Sequence, residues 1–410
     1  MRRVIFFIII AIIFLAVLTG CWSARELEQL GVSLIMGIDV EDERILLTVE
    51  VVDPIHMQKS GSETDSGNSV KYVQGRGNNI FEAFRDITLK FDRRIFVSHN
   101  KVIIFGDEFA RRGIVRHIDE LFRDNEQRES AHILVAKGKK AYEVMGINNG
   151  LENMPADYIL SLIKNFKLNP KAVDVNMIEY LRHYYHKGHN PYTGIIEKKK
   201  KRRIDNTGQG SENHDYELSV MGLAVFNEDI LVGYLNGNNT KSLNFVANNI
   251  KGGIINFPTP VALVNKGTEA KKLHYNLSSI IVIKNKTKND IEIRDGEVIL
   301  KTKIKLRGAI GEVMGDIDIS KEKNIKQMEK ACSKVIEKNI RNTVKKVQRE
   351  FGTDIFGYAL VFHSKYPDEW RKVKKDWNEI FSKARLEVEA DTHIIRTGLI
   401  NIPIIRKKGE

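Results

Sequence analysis

The spacing of apolar residues predicts alternating strands and helices in the first half of the chain. Apolar, β-branched runs bounded by turn residues predict strands at 32–39, 45–52, 101–106 and 131–136. Apolar residues at helical spacing predict helices at 78–91, 109–122, 158–166 and 173–185. A strand, a helix and a second strand with short connections indicate an α/β layer in this half.

The second half carries apolar residues that alternate with lysine and threonine, which is typical of strands exposed to water on one face. The predicted strands are 218–226, 230–235, 254–257, 261–264, 280–286, 298–310 and 385–394. A short helix is predicted at 244–249. A longer helix has Ser320 as its N-cap, carries one apolar stripe to Phe351 and ends at Gly352. The pattern predicts an α+β fold of two or three domains, each a mostly antiparallel or mixed sheet packed with helices, behind a lipoprotein signal peptide.

Residues 197–216 separate the two halves because they show no hydrophobic periodicity. They contain the densest basic run, from Lys198 to Arg203, followed by a stretch rich in glycine and polar residues. This composition predicts a basic polar linker or a long exposed loop. The predicted organisation is a signal peptide at 1–20, an N-terminal α/β region of one or two domains at 21–196, the linker at 197–216 and a C-terminal α+β domain at 217–405.

The N-terminus has the parts of a secretory signal, since two arginines are followed by an uncharged apolar run and then by small residues. The sequence Leu18-Thr19-Gly20-Cys21 indicates a bacterial lipobox. In that interpretation the Cys21 sulfur receives a diacylglyceryl group, and its amino group, freed by cleavage, receives an acyl chain such as palmitate. The alternative is an uncleaved membrane anchor, because the apolar stretch just reaches the roughly 17 residues that span a bilayer. Both interpretations place the rest of the chain outside the cytoplasm and beside a membrane.

Composition places the chain among globular exported proteins. It is 42% hydrophobic and 29% charged, and no second apolar run is long enough to cross a membrane. Removing residues 1–20 lowers the formal net charge from +12 to +10. The basic residues are spread along helices and strands, and the densest run has no interleaved aromatic residues, so nucleic acid is not an expected partner. Only Cys332 remains besides Cys21, which excludes an internal disulfide and predicts a small core side chain.

We recognise no catalytic or metal-binding motif in the sequence. The His-Glu-x-x-His and Cys-x-x-Cys patterns, a phosphate loop and a Gly-x-Ser-x-Gly elbow are all missing. His183, His186 and His189 come closest to a metal site, but without an acidic or cysteine ligand nearby they favour a polar helix end. Ser-x-x-Lys occurs at 98–101, 161–164 and 320–323 without the other motifs of a penicillin-recognising enzyme. We therefore expect no enzyme activity, no cofactor and no metal.

A family likeness extends over nearly the whole mature chain, in the expected order. It is carried by CWSAREL at 21–27, MGID at 36–39, HNKVIIFG at 99–106, GI at 113–114, LFRDNEQR at 121–128, GLAVF at 222–226, LVGYL at 231–235, DIFGY at 354–358, and YPDEW at 366–370 with Trp377. On these residues the chain resembles the Ger(x)C family of spore germination lipoproteins, which are the C subunits of nutrient germinant receptors. Ser23 and Glu28 depart from the family's usual aspartate and asparagine, which affects only the first turn after the membrane.

The resemblance implies a non-catalytic lipoprotein on the outer face of the spore inner membrane. It also implies two membrane-embedded partners, an A-type and a B-type subunit of a receptor that responds to small nutrients such as amino acids or sugars. Receptor assembly and transmission of the germination signal are the roles expected for this chain.

The most specific residues of the resemblance form a predicted structural motif or subunit-docking site. They are Asp354, Gly357, Pro367, Trp370 and Trp377. Asp354 is predicted to cap the helix that follows the long one, and Pro367 to begin the next helix. Trp370 and Trp377 fall on one helical stripe, where packing against the sheet and docking of a partner are both open.

The residues also leave two other functions as alternatives. An extracytoplasmic solute-binding lipoprotein of a transporter would share the lipobox, but it would need two doubly wound lobes around a cleft. The strands of residues 218–310, exposed on one face, argue against that architecture. A cell-wall enzyme is the weaker alternative.

Overall fold

The computed structural model describes residues 5–6, 29–52, 70–123, 129–148, 150–201, 215–260, 277–313 and 317–396. Within these ranges the chain folds into two β-sheets packed with helices, which confirms the predicted α+β class. No helix in these ranges is both long and apolar enough to cross a membrane. Most of the predicted signal peptide and the strand predicted at 261–264 lie outside the described residues.

The elements follow one another along the chain with short connections in most places. The strands are β1 (Leu30–Glu41), β2 (Arg44–Val52), β3 (Val70–Gly77), β4 (Arg94–Phe96), β5 (Val102–Gly106), β6 (His132–Ala136), β7 (Tyr192–Lys200), β8 (Tyr216–Ser219), β9 (Leu223–Asn227), β10 (Ile230–Leu235), β11 (Ile254–Pro258), β12 (Leu277–Arg294), β13 (Glu297–Glu312) and β14 (Arg385–Arg396). The helices are α1 (Ile80–Ile87), α2 (Asp107–Ala110), α3 (Val115–Arg123), α4 (Pro155–Lys164), α5 (Met177–Tyr185), α6 (Gly237–Val246), α7 (Glu322–Glu350), α8 (Tyr358–Lys365), α9 (Pro367–Val373) and α10 (Trp377–Lys383).

The first sheet has, within the described ranges, ten strands in the order β10-β9-β7-β6-β5-β1-β2-β3, with β4 beside β1 and β8 beside β7. Strands β1, β5, β6 and β7 are parallel, whereas β2 and β3 at one side and β9 and β10 at the other are antiparallel. The chain passes from β5 to β6 through α3, so the predicted α/β layer is present. Helices cover both faces, with Ile118 of α3 on one side and Ile159 and Ile163 of α4 on the other.

The first sheet crosses the boundary predicted between the two halves. Residues 197–200, predicted to begin the linker, continue β7 and pair with β8, so the loop prediction is wrong for them. Their charges are matched by distant groups, because Lys137 Nζ lies 2.8 Å from Glu197 Oε1 and Lys198 Nζ lies 4.1 Å from the ring centroid of Tyr216. β8 begins at Tyr216, the last residue of the predicted linker, and strands β8 to β10 still belong to the first sheet. The domain limits stay a prediction, and residues 202–214 lie outside the described chain.

The second sheet has the order β11-β12-β13-β14. β12 and β13 form a long antiparallel hairpin that turns at Asp295 and Gly296, both with positive φ, as a two-residue type I′ turn requires. β14 pairs in parallel with β13 after the chain has passed through α7 to α10. α7 covers one face of this sheet with the predicted apolar stripe, whose buried members include Met328, Cys332 and Ile336. Cys332 is therefore a core side chain, as predicted.

Two helices of the second half begin at other residues than predicted. α7 begins at Glu322, and Ser320 is hydrogen-bonded to Asp318 instead of capping the helix. α6 begins seven residues before its predicted start and ends before its predicted end. Its N-cap is Asn236, whose side chain accepts the N–H of Asn239 at 3.0 Å and so satisfies a free donor of the first turn.

The helix predicted at 109–122 is two helices, because the chain turns at Gly113. This glycine has a φ of +97°, a left-handed conformation that ends α2. After the turn, the N–H of Ile114 donates to the Asp229 carbonyl at 3.2 Å, which ties the start of α3 to the β9–β10 hairpin.

One apolar core extends through both sheets. It contains Ile103 of the first sheet, Leu306 of the second and Val344 of α7. Where the sheets meet, the loop before β7 contacts the segment after α7, since the N–H of Asn190 donates to the Asp354 carbonyl at 2.8 Å. This junction is where the predicted motif residues lie.

Candidate functional site

The segment between α7 and α8 folds around the buried carboxylate of Asp354. Its Oδ1 accepts the N–H groups of Phe356 and Gly357, both at 3.0 Å. Its Oδ2 accepts the N–H of Ala359 at 2.8 Å and the indole N–H of Trp377 at 3.1 Å. Ala359 lies in the first turn of α8, so the carboxylate binds donors that the helix itself leaves free. A single side chain therefore joins the turn, the start of α8 and the start of α10.

Burial sets the protonation behaviour of this carboxyl group. Burial raises the pKa of Asp354 to about 6, while the N–H donors around it act in the opposite direction. Gly357, which precedes α8, has a φ of +81°, a conformation that disfavours any residue with a Cβ. This segment is therefore a hydrogen-bonded structural motif at the junction of the two sheets. Its polar atoms bond to other groups of the same chain.

The two tryptophans pack inside the molecule. Trp370 and Trp377 are only 3% and 1% exposed, and their ring centroids lie 5.5 Å apart in an edge-on arrangement. Phe362 packs against both, at 5.3 Å from Trp377 and 6.0 Å from Trp370. Pro367 begins α9, which carries Trp370 into this cluster. Core packing accounts for both tryptophans, and neither presents the exposed surface that a docking anchor needs.

The three histidines of the predicted polar helix end do not converge on one point. The rings of His183 and His189 contact each other at a tilt of 43°, with centroids 4.5 Å apart, while His186 is exposed. Burial lowers the pKa of His183 to about 4 and that of His189 to about 3, so both rings are neutral at pH 7. In the described part of the chain no three histidine, cysteine or acidic side chains are placed to hold a metal ion.

The carboxyl ends of the parallel strands form a second candidate site, because ligands of open α/β sheets bind at that edge. A cavity of about 300 Å³ there is lined by Asp39, Asp107 and Lys140, among others. Asp39 is buried and accepts the N–H groups of Ala141 at 2.7 Å and Tyr142 at 3.3 Å. Burial raises the pKa of Asp39 to about 6.

The charged groups at this edge are already paired with one another. Lys140 Nζ lies 2.6 Å from Glu41 Oε1, and Arg111 Nε lies 2.7 Å from Asp107 Oδ1. Tyr234 donates its hydroxyl to Asp107 at 2.5 Å. The second sheet contains one parallel pair, β13–β14, among its described strands, so the second doubly wound lobe of a solute-binding protein is not what these residues form.

Two buried carboxyl groups escaped the sequence analysis because each sits in an apolar strand. Asp39 closes the run at 32–39, where it resembles a strand-ending residue. Glu50 lies inside the run at 45–52, is fully buried, and accepts the hydroxyl of Tyr72 at 2.8 Å. Burial raises the pKa of Glu50 to about 7. An acidic residue at an inward position of an apolar strand is the signal that could have found them.

The predicted lipidation site is Cys21, directly after the lipobox. Cys21 and the lipobox residues Leu18, Thr19 and Gly20 lie outside the described residues. The described chain resumes at Gln29, directly before β1.

Comparison with known families and structures gives one consistent result. A family model described as "Spore germination protein N-terminal domain" matches residues 23–198, and one described as "Spore germination B3/ GerAC like, C-terminal" matches residues 221–398. Spore germination protein KC of Bacillus subtilis (strain 168) is 29% identical over 401 residues, which cover 95% of this chain and 94% of that protein. Spore germination protein B3 of the same organism is 26% identical over 401 residues, 97% of each chain.

A solved structure shares the fold. The crystal structure of the GerBC protein matches with a TM-score of 0.52 and 22% identity, covering 88% of this chain and 96% of that chain. At this identity the likeness shows the fold alone, and it supports the α+β architecture described above.

Proposed function

Because the chain belongs to the Ger(x)C family of spore germination proteins, we propose that it is a non-catalytic, lipid-anchored subunit of a spore nutrient germinant receptor. The observation that carries the proposal is the match of both family models, in order, over most of the chain. The buried motif at Asp354 supports a structural rather than a chemical role, since its oxygens accept hydrogen bonds from the protein itself.

The proposed anchor is Cys21, acylated after cleavage behind Gly20. Each buried methylene contributes about 0.8 kcal/mol to membrane attachment, and stable anchoring needs more than one chain or one chain and a basic patch. The thioether-linked diacylglycerol and the N-acyl group would together meet that requirement. The protein would then lie on the outer face of the spore inner membrane.

The proposed partners are the A-type and B-type membrane-embedded subunits of the same receptor. In this scheme the chain supports their assembly and helps to transmit the germination signal, while small nutrients bind the assembled receptor. The internal use of the polar groups at both candidate sites supports a scaffold role.

Deleting the gene tests the receptor role. Spores that lack the chain should lose germination in response to one set of nutrients and keep germination by routes that bypass nutrient receptors. Loss of refractility under a panel of amino acids and sugars measures this, with the gene restored in trans as the control. Unchanged nutrient germination in the deletion strain would contradict the proposal.

The variant Cys21→Ala tests the anchor. It should accumulate as an unprocessed precursor or disappear from the membrane fraction, because the acceptor sulfur is lost. Ser23→Ala is the matched control, since it changes a neighbouring residue and keeps the sulfur. Membrane fractionation and intact mass measure both variants. Normal processing and normal germination of Cys21→Ala would show that the anchor is dispensable.

Calorimetry separates the receptor subunit from a solute-binding lipoprotein. The purified chain alone should release no binding heat with amino acids or sugars if nutrients bind the assembled receptor. Tight binding by the isolated chain would favour the transporter alternative instead.

A further inference from the structure

The outer face of the second sheet carries a block of cations, here called the basic face. It consists of Lys284, Lys286 and Lys288 on β12 and of Lys303, Lys305 and Arg307 on β13. All six side chains are exposed, and the residues that alternate with those on β13 point into the core beneath α7. None of the described elements covers this face.

The register places these cations directly opposite one another. Lys284 pairs with Arg307, Lys286 with Lys305, and Lys288 with Lys303. Directly opposite residues of antiparallel strands hold their Cβ atoms about 4.5–5.5 Å apart, and like charges in such pairs destabilise the sheet. The hairpin therefore brings three pairs of cations together at a cost to its own stability.

Within the described chain, one of the six cations forms an ion pair with an acidic group. Lys303 Nζ lies 3.0 Å from Glu389 Oε2 on β14, in a pair whose side chains are both about two-thirds exposed. The other five cations have no acidic oxygen within ion-pair distance among the described residues. Asp391 of β14 lies beside Lys305 in the register but makes no ion pair with it. The folded chain keeps these like charges side by side in spite of their repulsion. This indicates that the charged surface binds a partner outside the chain.

The residue types favour a lipid surface over a protein partner. Five of the six cations are lysine and the face has no aromatic residue, whereas protein interfaces are depleted in lysine and enriched in aromatic residues and arginine. Clusters of four to eight basic residues next to a membrane are typical of binding to anionic lipid headgroups.

Exposed aliphatic residues lie beside one end of the basic face, which also favours binding to a bilayer. Ile281 and Ile283 precede Lys284 on β12 and are 44% and 43% exposed. Ile254 of β11 pairs directly with Ile281 and is 55% exposed. Exposed aliphatic side chains beside lysines match the two layers of a bilayer surface, in which charged headgroups lie above the acyl boundary.

We propose that the basic face docks the second sheet onto anionic phospholipid headgroups, with Ile254, Ile281 and Ile283 entering the interfacial layer. This rests on the proposed membrane location of the protein. The face would add an electrostatic attachment to the lipid anchor and would fix the orientation of the body relative to the bilayer.

The test uses the full membrane form of the protein, reconstituted into vesicles of phosphatidylcholine with or without phosphatidylglycerol. An environment-sensitive dye is attached at Ile283→Cys. Burial raises the pKa of the Cys332 thiol to about 12, so this residue should resist labelling. The dye should report an apolar environment only on vesicles that contain phosphatidylglycerol, and high salt should reverse the change.

The double variant Lys286→Gln/Lys305→Gln should lower the ratio of protein with a docked basic face to protein with an undocked one, by about fivefold for each lysine. It relieves repulsion and should unfold at the same or a higher urea concentration, so misfolding cannot explain a loss. The matched control is Lys71→Gln/Lys164→Gln, two exposed lysines on β3 of the first sheet and on α4, the helix that packs against that sheet. It removes the same charge and should leave docking within about twofold of the wild-type ratio.

Identical dye signals on both kinds of vesicle would overturn the proposal. A signal that changes only when the other receptor subunits are present would assign the face to a protein and would overturn it equally. Failure of the anchor gives a different result, because the protein would not float with phosphatidylcholine vesicles and Cys21 would also take the dye. The face is then tested on the Cys21→Ala/Ile283→Cys variant, which takes the dye at position 283 and is added from outside to phosphatidylglycerol vesicles.

Discussion

At the scale of single residues, three carboxyl groups are buried in the described part of the chain: Asp39, Glu50 and Asp354. Each accepts hydrogen bonds from N–H or hydroxyl donors and makes no ion pair, so burial dominates and raises its pKa. Ionising such a group inside the protein costs free energy that the unfolded chain does not spend. Stability should therefore depend on pH through these three side chains.

Glu50→Gln should change how stability varies with pH. The folded pKa of about 7 lies above the ordinary value of 4.5. Between these values the folded state binds a proton that the unfolded state lacks, so the contribution of Glu50 is complete below pH 4.5 and is lost as the pH rises through 7. Glutamine removes this dependence and can still accept the Tyr72 hydroxyl. Between pH 5 and pH 8 the unfolding free energy of the variant, measured relative to that of the wild type, should therefore increase by about 2 kcal/mol.

Urea unfolding at pH 5, 6, 7 and 8 measures this difference. The two stability curves should separate steadily as the pH rises. Curves that stay parallel over the whole range would mean that Glu50 titrates alike in the folded and unfolded states.

Asp354→Asn should destabilise the protein by about 3 kcal/mol at pH 7. The amide group can accept hydrogen bonds through one oxygen only, and its NH₂ group would face two of the four N–H donors. Asp368→Asn is the matched control, because this aspartate is exposed and its ion-pair partner in the described chain is Arg371. It should change the unfolding free energy by less than about 0.5 kcal/mol. Equal urea midpoints for the two variants would contradict the central role given to Asp354.

At the scale of elements, the loop between α5 and β7 fits closely under the tryptophans. Gly188 has a φ of +80°, and a Cβ there would lie 2.6 Å from Trp370 Cη2 and 2.8 Å from the Cβ of Ala359. Gly296, in the β12–β13 turn, has the same φ and nothing within 4 Å of such a Cβ. The two glycines therefore separate backbone strain from crowding.

Gly188→Ala should cost about 3–4 kcal/mol of unfolding free energy, because left-handed strain and overpacking add together. Gly296→Ala should cost only about 1 kcal/mol, since strain acts alone there. Urea midpoints of the two variants measure the difference. A similar loss in both would show that the tryptophan cluster adjusts to the extra methyl group.

Elements with a strong apolar period were predictable from the sequence, and elements fixed by distant partners were not. The stripe of α7 and the strands β1, β2 and β5 follow directly from spacing, because burial of one face sets the period. The last residues of β7 appear polar in sequence, and their pairing with β8 becomes visible only in the fold. α6 has a weak apolar period and begins at Gly237, after the N-cap Asn236, which was not recognised as a cap from the sequence.

At the scale of the whole molecule, the two halves share one sheet. The β9–β10 hairpin from the second half pairs with β7 of the first, and Gly233 of that hairpin lies under the ring of Phe351. The Asn190 N–H donates to the Asp354 carbonyl across the same junction. Neither half therefore completes its own core.

Cleaving the chain between the halves should leave them together. A protease site inserted at residues 202–214 should yield two fragments that elute as one species and separate only in denaturant. Size-exclusion chromatography before and after addition of urea measures this. Fragments that separate in buffer and keep their native circular dichroism would show two independent domains, as the predicted limits at 196 and 217 suggest.

The fold class, the family and the lack of a recognisable catalytic motif followed from the order of the amino acids alone, because periodicity, turn residues and short motifs are local properties of the chain. The environment of single polar and aromatic residues, in contrast, depends on how the chain folds. In the fold, Glu50 and both tryptophans are buried, and donors of the same chain bind the Asp354 carboxylate. Three pairs of cations lie opposite one another on the second sheet. These features depend on strand register and on contacts between residues far apart in sequence, which spacing along the chain does not encode.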